Sequence, residues 1–213
     1  MHTYGVARVI AGEAGGRRLT VPGGRSTRPT SDRAREGLFA TVTSVVGSLA
    51  GVRVLDLYAG SGAVGLEALS RGAGHVLLIE SGARAAPVVR QNIAALGLPG
   101  ATVIADRVER VLTRGPEPSA APSPVPGPEP GPEPGRYDVV FADPPYAAPD
   151  EEVTRVLGML SSEGWLAAGA LVVVERATRS GPVRWPEGFV PDRARRYGEA
   201  TFWYGLGPGA PPS

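Results

Sequence analysis

Five short apolar runs recur along this chain: Val52–Tyr58, His75–Glu80, Ala101–Asp106, Tyr137–Ala142 and Ala170–Glu175. Helix-patterned stretches separate most of them, and that alternation leaves few folds open. Runs of this length, rich in β-branched residues and bounded by Gly, Pro or Asp, read as strands buried on both faces. Strands linked by helical crossovers pair in parallel, and the helices cover the two faces of the sheet. Two later runs, Val190–Tyr197 and Thr201–Leu206, are joined by Gly198-Glu199-Ala200 alone and read as a closing antiparallel hairpin. The predicted fold is α/β and Rossmann-like: a seven-stranded, mostly parallel sheet with helices on both faces and a C-terminal hairpin. Helices are expected over about 31–46 (capped by Thr30, Ser31 or Asp32), from the glycine-rich turn at 60–65 to about Arg71, over 83–96 with Gly97 as C-terminal cap, as a short stretch after Asp106, and over 150–160. Asp150, Glu151 and Glu152 suit the positive end of that last helix.

The chain ahead of the sheet has a different character. Tyr4–Ile10 and Arg17–Val21 read as a small hairpin carrying Arg8, Arg17 and Arg18, so residues 1–30 are expected to form a basic extension, 31–207 the main domain and 208–213 a tail. Residues 1–35 hold seven arginines against Glu13 and Asp32, while the rest of the chain is acidic on balance. Such an asymmetry points to a polyanion-facing patch. Arg28, Arg33 and Arg35 lie at or before the first turn of the 31–46 helix, where a cation opposes the macrodipole; contact with phosphate would offset that cost. Residues 115–135 include nine prolines and three copies of Gly-Pro-Glu-Pro. They are expected to form an extended or disordered insertion at the N-terminal edge of the sheet, away from a ligand.

Composition removes several classes of function. With 213 residues the chain is one domain or one domain with a small extension. It has no cysteine and two histidines, His2 and His75, too far apart for a metal cluster, so no metal is expected. No apolar run approaches 18 residues and no apolar leader opens the chain, so a cytoplasmic protein without membrane contact is expected. Every one of the 22 basic residues is Arg, and with 30 Gly and 22 Pro this fits a GC-rich coding bias. Arginine abundance alone is therefore no nucleic-acid signal.

Chemistry gathers at the strand ends. Gly60-Ser-Gly62-Ala-Val-Gly65 follows a strand and opens a helix, a pattern in which glycines let backbone amides approach a ligand. Glu80 ends the next strand, where a carboxylate can hold both ribose hydroxyls. A dinucleotide would fit this much equally well. Three features favour S-adenosylmethionine: Asp56 near the end of the first strand can face a cationic amine, Asp106 ends the third strand and can accept from an adenine amine, and only 38 residues follow Glu175, too few for the catalytic domain a dehydrogenase adds. The candidate cofactor-binding set is Asp56, Tyr58, Gly60, Ser61, Gly62, Glu80, Asp106 and Arg107. Asp143-Pro144-Pro145-Tyr146 ends the fourth strand in a rigid turn. It presents a carboxylate, carbonyls without local partners and an aromatic ring, which suits a planar group bearing an amine. These four are the candidate catalytic residues.

In this order the motifs resemble those of class I methyltransferases acting on exocyclic amines. Arg8-Val-Ile-Ala-Gly12, Gly16-Arg-Arg-Leu19, Arg28-Pro-Thr-Ser-Asp-Arg33, Arg35-Glu-Gly-Leu-Phe39 and Gly65-Leu-Glu-Ala-Leu-Ser-Arg71 narrow the resemblance to the bacterial 16S rRNA guanine-N2 methyltransferase family, RsmD type. It covers nearly the whole chain except the insertion and the tail, and departs at Ala11, where the family more often has Gly. The resemblance implies S-adenosylmethionine as cofactor and one guanine of 16S rRNA (guanine 966) as target, read in the small subunit or an assembly intermediate. On this reading Asp143 and the Pro144 carbonyl accept the hydrogens of N2 and Tyr146 stacks on the base. Arg8, Arg17, Arg18, Arg28 and Arg33 form the RNA-binding set, and a monomer is expected. The rival readings are a DNA adenine-N6 or cytosine-N4 methyltransferase, for whose recognition domain the chain has no room, a nicotinamide-dependent oxidoreductase, for which no catalytic His, Lys or Tyr arrangement is found, and an RNA-binding module with a vestigial cofactor fold.

Overall fold

A computed structural model describes residues 7–23, 31–116 and 135–209. Most of the proline-rich insertion, Arg28, Tyr4 and the end of the tail lie outside the described residues. The elements in chain order are β1 (Ala7–Arg8), β2 (Arg18–Leu19), α1 (Asp32–Val46), β3 (Arg53–Leu57), α2 (Ala63–Ser70), β4 (His75–Ile79), α3 (Ala85–Leu96), β5 (Ala101–Ile104), α4 (Val108–Leu112), β6 (Tyr137–Ala142), α5 (Asp150–Ser162), β7 (Leu166–Ala177), a single 3-10 turn at Thr178–Ser180, β8 (Val190–Tyr197) and β9 (Ala200–Leu206). The sheet runs β5-β4-β3-β6-β7-β9-β8. Its first five strands are parallel; β9 runs antiparallel to both β7 and β8. This is the Rossmann-like, seven-stranded arrangement expected from the sequence.

The side-chain period of two assigns each strand residue to a face. Val54, Val139, Phe141, Leu171 and Val173 join Leu38, Phe39, Val42, Leu66 and Val89 in the core under α1, α2 and α3. Leu55, Leu57, Val140, Ala142, Val172 and Val174 face Leu112, Val156, Leu157 and Leu160 of α4 and α5. One consequence governs the site. Asp56, Asp143 and Glu175 continue the first set of positions, so they emerge on one face, at the carboxyl ends of the neighbouring strands β3, β6 and β7.

Two elements depart from expectation. The N-terminal strands pair over two residues each, Ala7 with Leu19 and Arg8 with Arg18. Between them Val9 still bonds across to Arg17 and Gly16, and several of the remaining amides find their partners on α2. Glu67 accepts from the amides of Ile10 (2.6 Å) and Ala11 (3.0 Å), and Ser70 Oγ takes the Ala14 amide (2.9 Å). The fifth parallel strand is longer than the run Ala170–Glu175. It starts at Leu166, with a register irregularity between the Tyr137 and Val139 pairings that absorbs the extra residues. Helix α1 is capped by Ser31, whose hydroxyl accepts from the Ala34 amide, and α3 ends at Gly97 with φ 68°. Arg35, expected near phosphate, is instead buried. Its guanidinium donates to the Arg8 carbonyl and to Asp32, so its position serves the fold.

Candidate active site

Asp56, Asp143 and Glu175 line one small cavity, closed by Leu38, Val64, Phe141, Val173 and Phe202. Asp56 is buried and accepts the Gly65 amide at 2.9 Å, in the first turn of α2. It thus acts as a helix cap supplied from a strand, in a chain segment whose own N-cap, Gly62, has no side chain. Burial pushes the Asp56 carboxyl up to about 7; the Gly65 hydrogen bond opposes the shift and Glu80 adds to it. Desolvation likewise raises Asp143 well above the usual carboxylate range, with repulsion from Glu175 and then Asp56 added. Asp143 as a residue is nonetheless exposed, at the mouth of the cavity. Three carboxyls lining one cavity repel one another when charged. Glu175 is the residue that sequence reasoning passed over. It ends the apolar run Ala170–Glu175 inside β7, the same signal that singled out Asp143.

The glycine-rich turn joins β3 to α2. Gly60 has φ 58°, and a Cβ placed there would meet nothing closer than 4.0 Å, so its outer side is open to a ligand. Gly62 has φ 78° and sits among Leu66, Leu78 and Val89; its lack of a side chain lets the turn settle on the core. Glu80 spans the turn: one oxygen accepts from Gly60 (2.7 Å), the other from Gly82 (2.5 Å). Asn92 holds the turn from below, donating to the Ser61 carbonyl at 2.9 Å while pairing with both backbone groups of Thr20. A turn open at Gly60, flanked by anionic Glu80 and closed below by α3, fits a cofactor with ribose hydroxyls and cationic groups.

Three other members of the predicted cofactor set are engaged elsewhere. Asp106 takes the Arg107 amide (2.8 Å) and the Arg114 guanidinium (2.9 Å), with Arg110 at 3.4 Å. The amide bond and these cations hold its carboxyl below the usual range. Arg107 is exposed, near Glu109. Tyr58 adopts the left-handed conformation (φ 61°) and packs on the α4–α5 core. Burial, with Glu109 and Glu152 nearby, raises its hydroxyl above the ordinary phenol range.

The Asp143-Pro-Pro-Tyr146 turn leaves β6 with the Asp143 amide directed at the Leu57 carbonyl (3.4 Å). Pro144 is buried, Pro145 is exposed and Tyr146 is 49% exposed. Arg176 supports the turn from β7: its buried guanidinium donates to the Ala148 carbonyl (3.0 Å) and to Asp150 (2.8 Å). The predicted RNA-binding arginines divide. Arg8 pairs with Asp32 at 2.9 Å near the surface. Arg17, expected on phosphate, donates instead to the Leu96 and Ala95 carbonyls, where the end of α3 favours a cation. Arg18 and Arg33 are exposed. Among the described residues no group of three or more His, Cys, Asp or Glu could hold a metal ion, and no helix is long and apolar enough to cross a membrane.

This geometry agrees with what the chain is similar to. A family model described as conserved hypothetical protein 95 matches residues 7–121 and 128–205. The Escherichia coli protein named ribosomal RNA small subunit methyltransferase D is 34% identical over 185 residues, spanning 85% of this chain and 82% of that protein. The chain belongs to this methyltransferase family. The Haemophilus influenzae member of the same name is 30% identical over 172 residues, covering 80% of this chain and 79% of its own. A solved Escherichia coli structure named as a methyltransferase, yhhF, superposes with TM-score 0.78 at 29% identity, over 97% of this chain and 100% of that one. S-adenosylmethionine is the cofactor of this methyltransferase family, and the open glycine turn with Glu80 fits it.

Proposed function

We propose that the protein methylates the exocyclic N2 of one guanine, guanine 966 by family analogy, in 16S rRNA within the small ribosomal subunit or a late assembly intermediate. It would act as a cytoplasmic monomer. The observation that carries the reading is the placement of Asp143-Pro-Pro-Tyr146 on the sheet edge beside the glycine turn, in a chain whose relatives are named for small-subunit rRNA. The cofactor supplies a methyl group on a positively charged sulfur, which leaves as a neutral thioether. The protein must then present a poor nucleophile, because the N2 lone pair is delocalised into the ring. Asp143 and the Pro144 carbonyl accept the two N2 hydrogens and hold the nitrogen in line, a gain of orientation and electrostatics. Tyr146 stacks on the extruded base. The proton that N2 loses passes to Asp143, beside Glu175. Glu80 holds the ribose, and Asp56 keeps the first turn of α2 aimed at the cofactor.

The test is methyl transfer from labelled S-adenosylmethionine to small subunits from a strain lacking the modification, to naked 16S rRNA and to duplex DNA in parallel. Label at one guanine N2 of the small subunit is expected. Label in DNA alone would overturn the substrate.

Two results are expected alongside it. Glu80→Ala raises the cofactor Kd by about tenfold or more in calorimetry, since a charged acceptor shared by two hydroxyls contributes roughly 1.5–3 kcal/mol; an unchanged Kd would remove Glu80 from the cofactor site. The second concerns pH. Asp143 can take the N2 proton only when ionised, and its carboxyl lies well above the usual range. The single-turnover rate therefore rises with pH along a limb displaced upward from an ordinary carboxylate. Glu175→Gln removes one like charge and moves that limb to lower pH. A limb at the same pH in both proteins would dissociate Glu175 from Asp143.

A further inference from the structure

Past Asp143 the sheet continues through β7, β9 and β8, on the side away from the glycine turn. A second cavity of about 430 Å³ opens there, lined by Tyr146, Ala177, Thr178, Arg179, Arg196 and Glu199. Its walls are the end of β7 with the 3-10 turn, the β8–β9 turn, and the aromatic residue of the candidate catalytic loop. Tyr146 thus borders both this cavity and the proposed base site. We infer that the cavity receives the ribonucleotide adjoining the target base, with its phosphate on Arg179 and Arg196; the inference rests on the function proposed above.

Three observations support it. The volume suits one nucleotide, being near the lower end of the range for small-ligand pockets. The two guanidiniums come from separate elements that are tied together. The Thr178 amide donates to the Glu199 carbonyl at 2.7 Å, and Thr178 Oγ1 lies 3.0 Å from Thr201 Oγ1. Arg196 Nε donates to the Gly198 carbonyl at 3.0 Å, which fixes the plane of its fork; a planar fork held in this way suits a phosphate. Charge supplies the third. Two Arg against one Glu leave the lining at +1, a match for a single phosphodiester rather than a polyphosphate. Arginines on an exposed edge strand also discourage strand pairing, which accounts for Arg193 and Arg195 on β8. It does not account for Arg179, which lies on the 3-10 turn. An extruded base needs its neighbouring backbone to cross the rim of the site, and this cavity is on that rim.

The experiment compares wild type with Arg179→Gln, Arg196→Gln, the double variant, and the double Lys replacement. Calorimetry with S-adenosylmethionine is expected to give one Kd for all, which verifies folding. On unmodified small subunits the Gln double variant is expected to raise KM about tenfold, the size of one lost charged contact, with kcat within about twofold. The salt slope of RNA binding should fall by about one phosphate's worth. The Lys pair should restore the slope but only part of the affinity. A KM and slope equal to wild type overturn the inference while leaving methylation of the subunit standing. Should wild type itself transfer no methyl, binding of a short single-stranded RNA still decides: equal affinity for wild type and the Gln double variant overturns the subsite.

Discussion

Asp143→Ala will bind S-adenosylmethionine as tightly as wild type and lose about 10²–10³-fold in single-turnover rate, the scale of removing one preorganised electrostatic contact to a reacting group. The geometry separates the two readouts. Gly60, Ser61 and Glu80 make their contacts among themselves and with Asn92 and Gly82, and Asp143 takes no part in them. The same variant will gain stability at neutral pH. Asp143 shares a cavity with Asp56 and Glu175, and its ionised form is disfavoured there. A group whose folded pKa is raised contributes stability that is complete below its unfolded pKa and is lost as pH rises through the folded one. For Asp56 that window runs from about 4 to about 7; for Asp143 it extends upward from the same start. The contribution of these two carboxyls to the melting temperature will therefore fall across this range, against the rise that His75 supplies between about 4 and its ordinary value because burial holds its ring down at about 4, and Asp143→Ala will lessen the carboxyl part. Such an exchange of activity for stability is what a site of crowded like charges produces. Equal rates for variant and wild type would sink the assignment of Asp143. A melting temperature lowered at pH 8 would show that the three carboxylates do not repel as their placement requires.

The sheet was legible in the sequence because its five parallel strands are largely apolar and three helix ends carry ordinary signals: Ser31, Gly97 and the acidic start of α5 all sit where local chemistry puts them. Strand-end carboxylates were legible for the same reason, and Asp56 and Asp143 do share one face. What periodicity could not show was how these groups partner. Asp106 resembles Glu80 in sequence position, yet Arg110 and Arg114, one and two helical turns further on, draw its carboxylate toward α4. Arg17 and Arg35 looked like members of a phosphate patch, because an arginine count does not distinguish a side chain facing water from one closing a gap between elements. Arg17 finds its partners at the end of α3, 78 and 79 residues on, and Arg35 bonds nearby Asp32 together with the Arg8 carbonyl, 27 residues back, and faces Glu67 of α2, 32 residues on. Glu175 carries the same sequence signal as Asp143, a carboxylate closing an apolar run, and periodicity places it on the same face.

Removing Glu67 is expected to produce the largest loss of stability in the molecule. Its carboxylate is fully buried and makes four contacts: the amides of Ile10 and Ala11, Arg71 Nε at 2.7 Å, and Arg35 Nε at 3.9 Å. Arg35 is itself buried, and burial already lowers its pKa against the opposing pull of Glu67 and Asp32. Glu67→Ala strands two amides and removes one partner of a buried ion pair, which costs about 3–5 kcal/mol. In a chain of this size that is a drop in melting temperature on the order of 10 °C. The damage should be directional. Glu67 belongs to α2 but joins it to the segment 7–23, so limited proteolysis should cut within that segment first, while the cofactor site on β3, β4 and α3 persists. Gly12→Ala tests the docking without touching a charge: a Cβ at Gly12 would come within 1.7 Å of the Ser70 carbonyl oxygen, and φ there is +84°. Both variants should keep the cofactor and lose RNA, because the undocked segment carries Arg8 and Arg18. If Glu67→Ala unfolds at the wild-type denaturant midpoint, the segment is not held through this carboxylate. If Gly12→Ala instead retains full RNA affinity with its segment cleaved, the basic extension does not contribute to substrate binding, and Arg33 and the rim beyond Tyr146 must carry it.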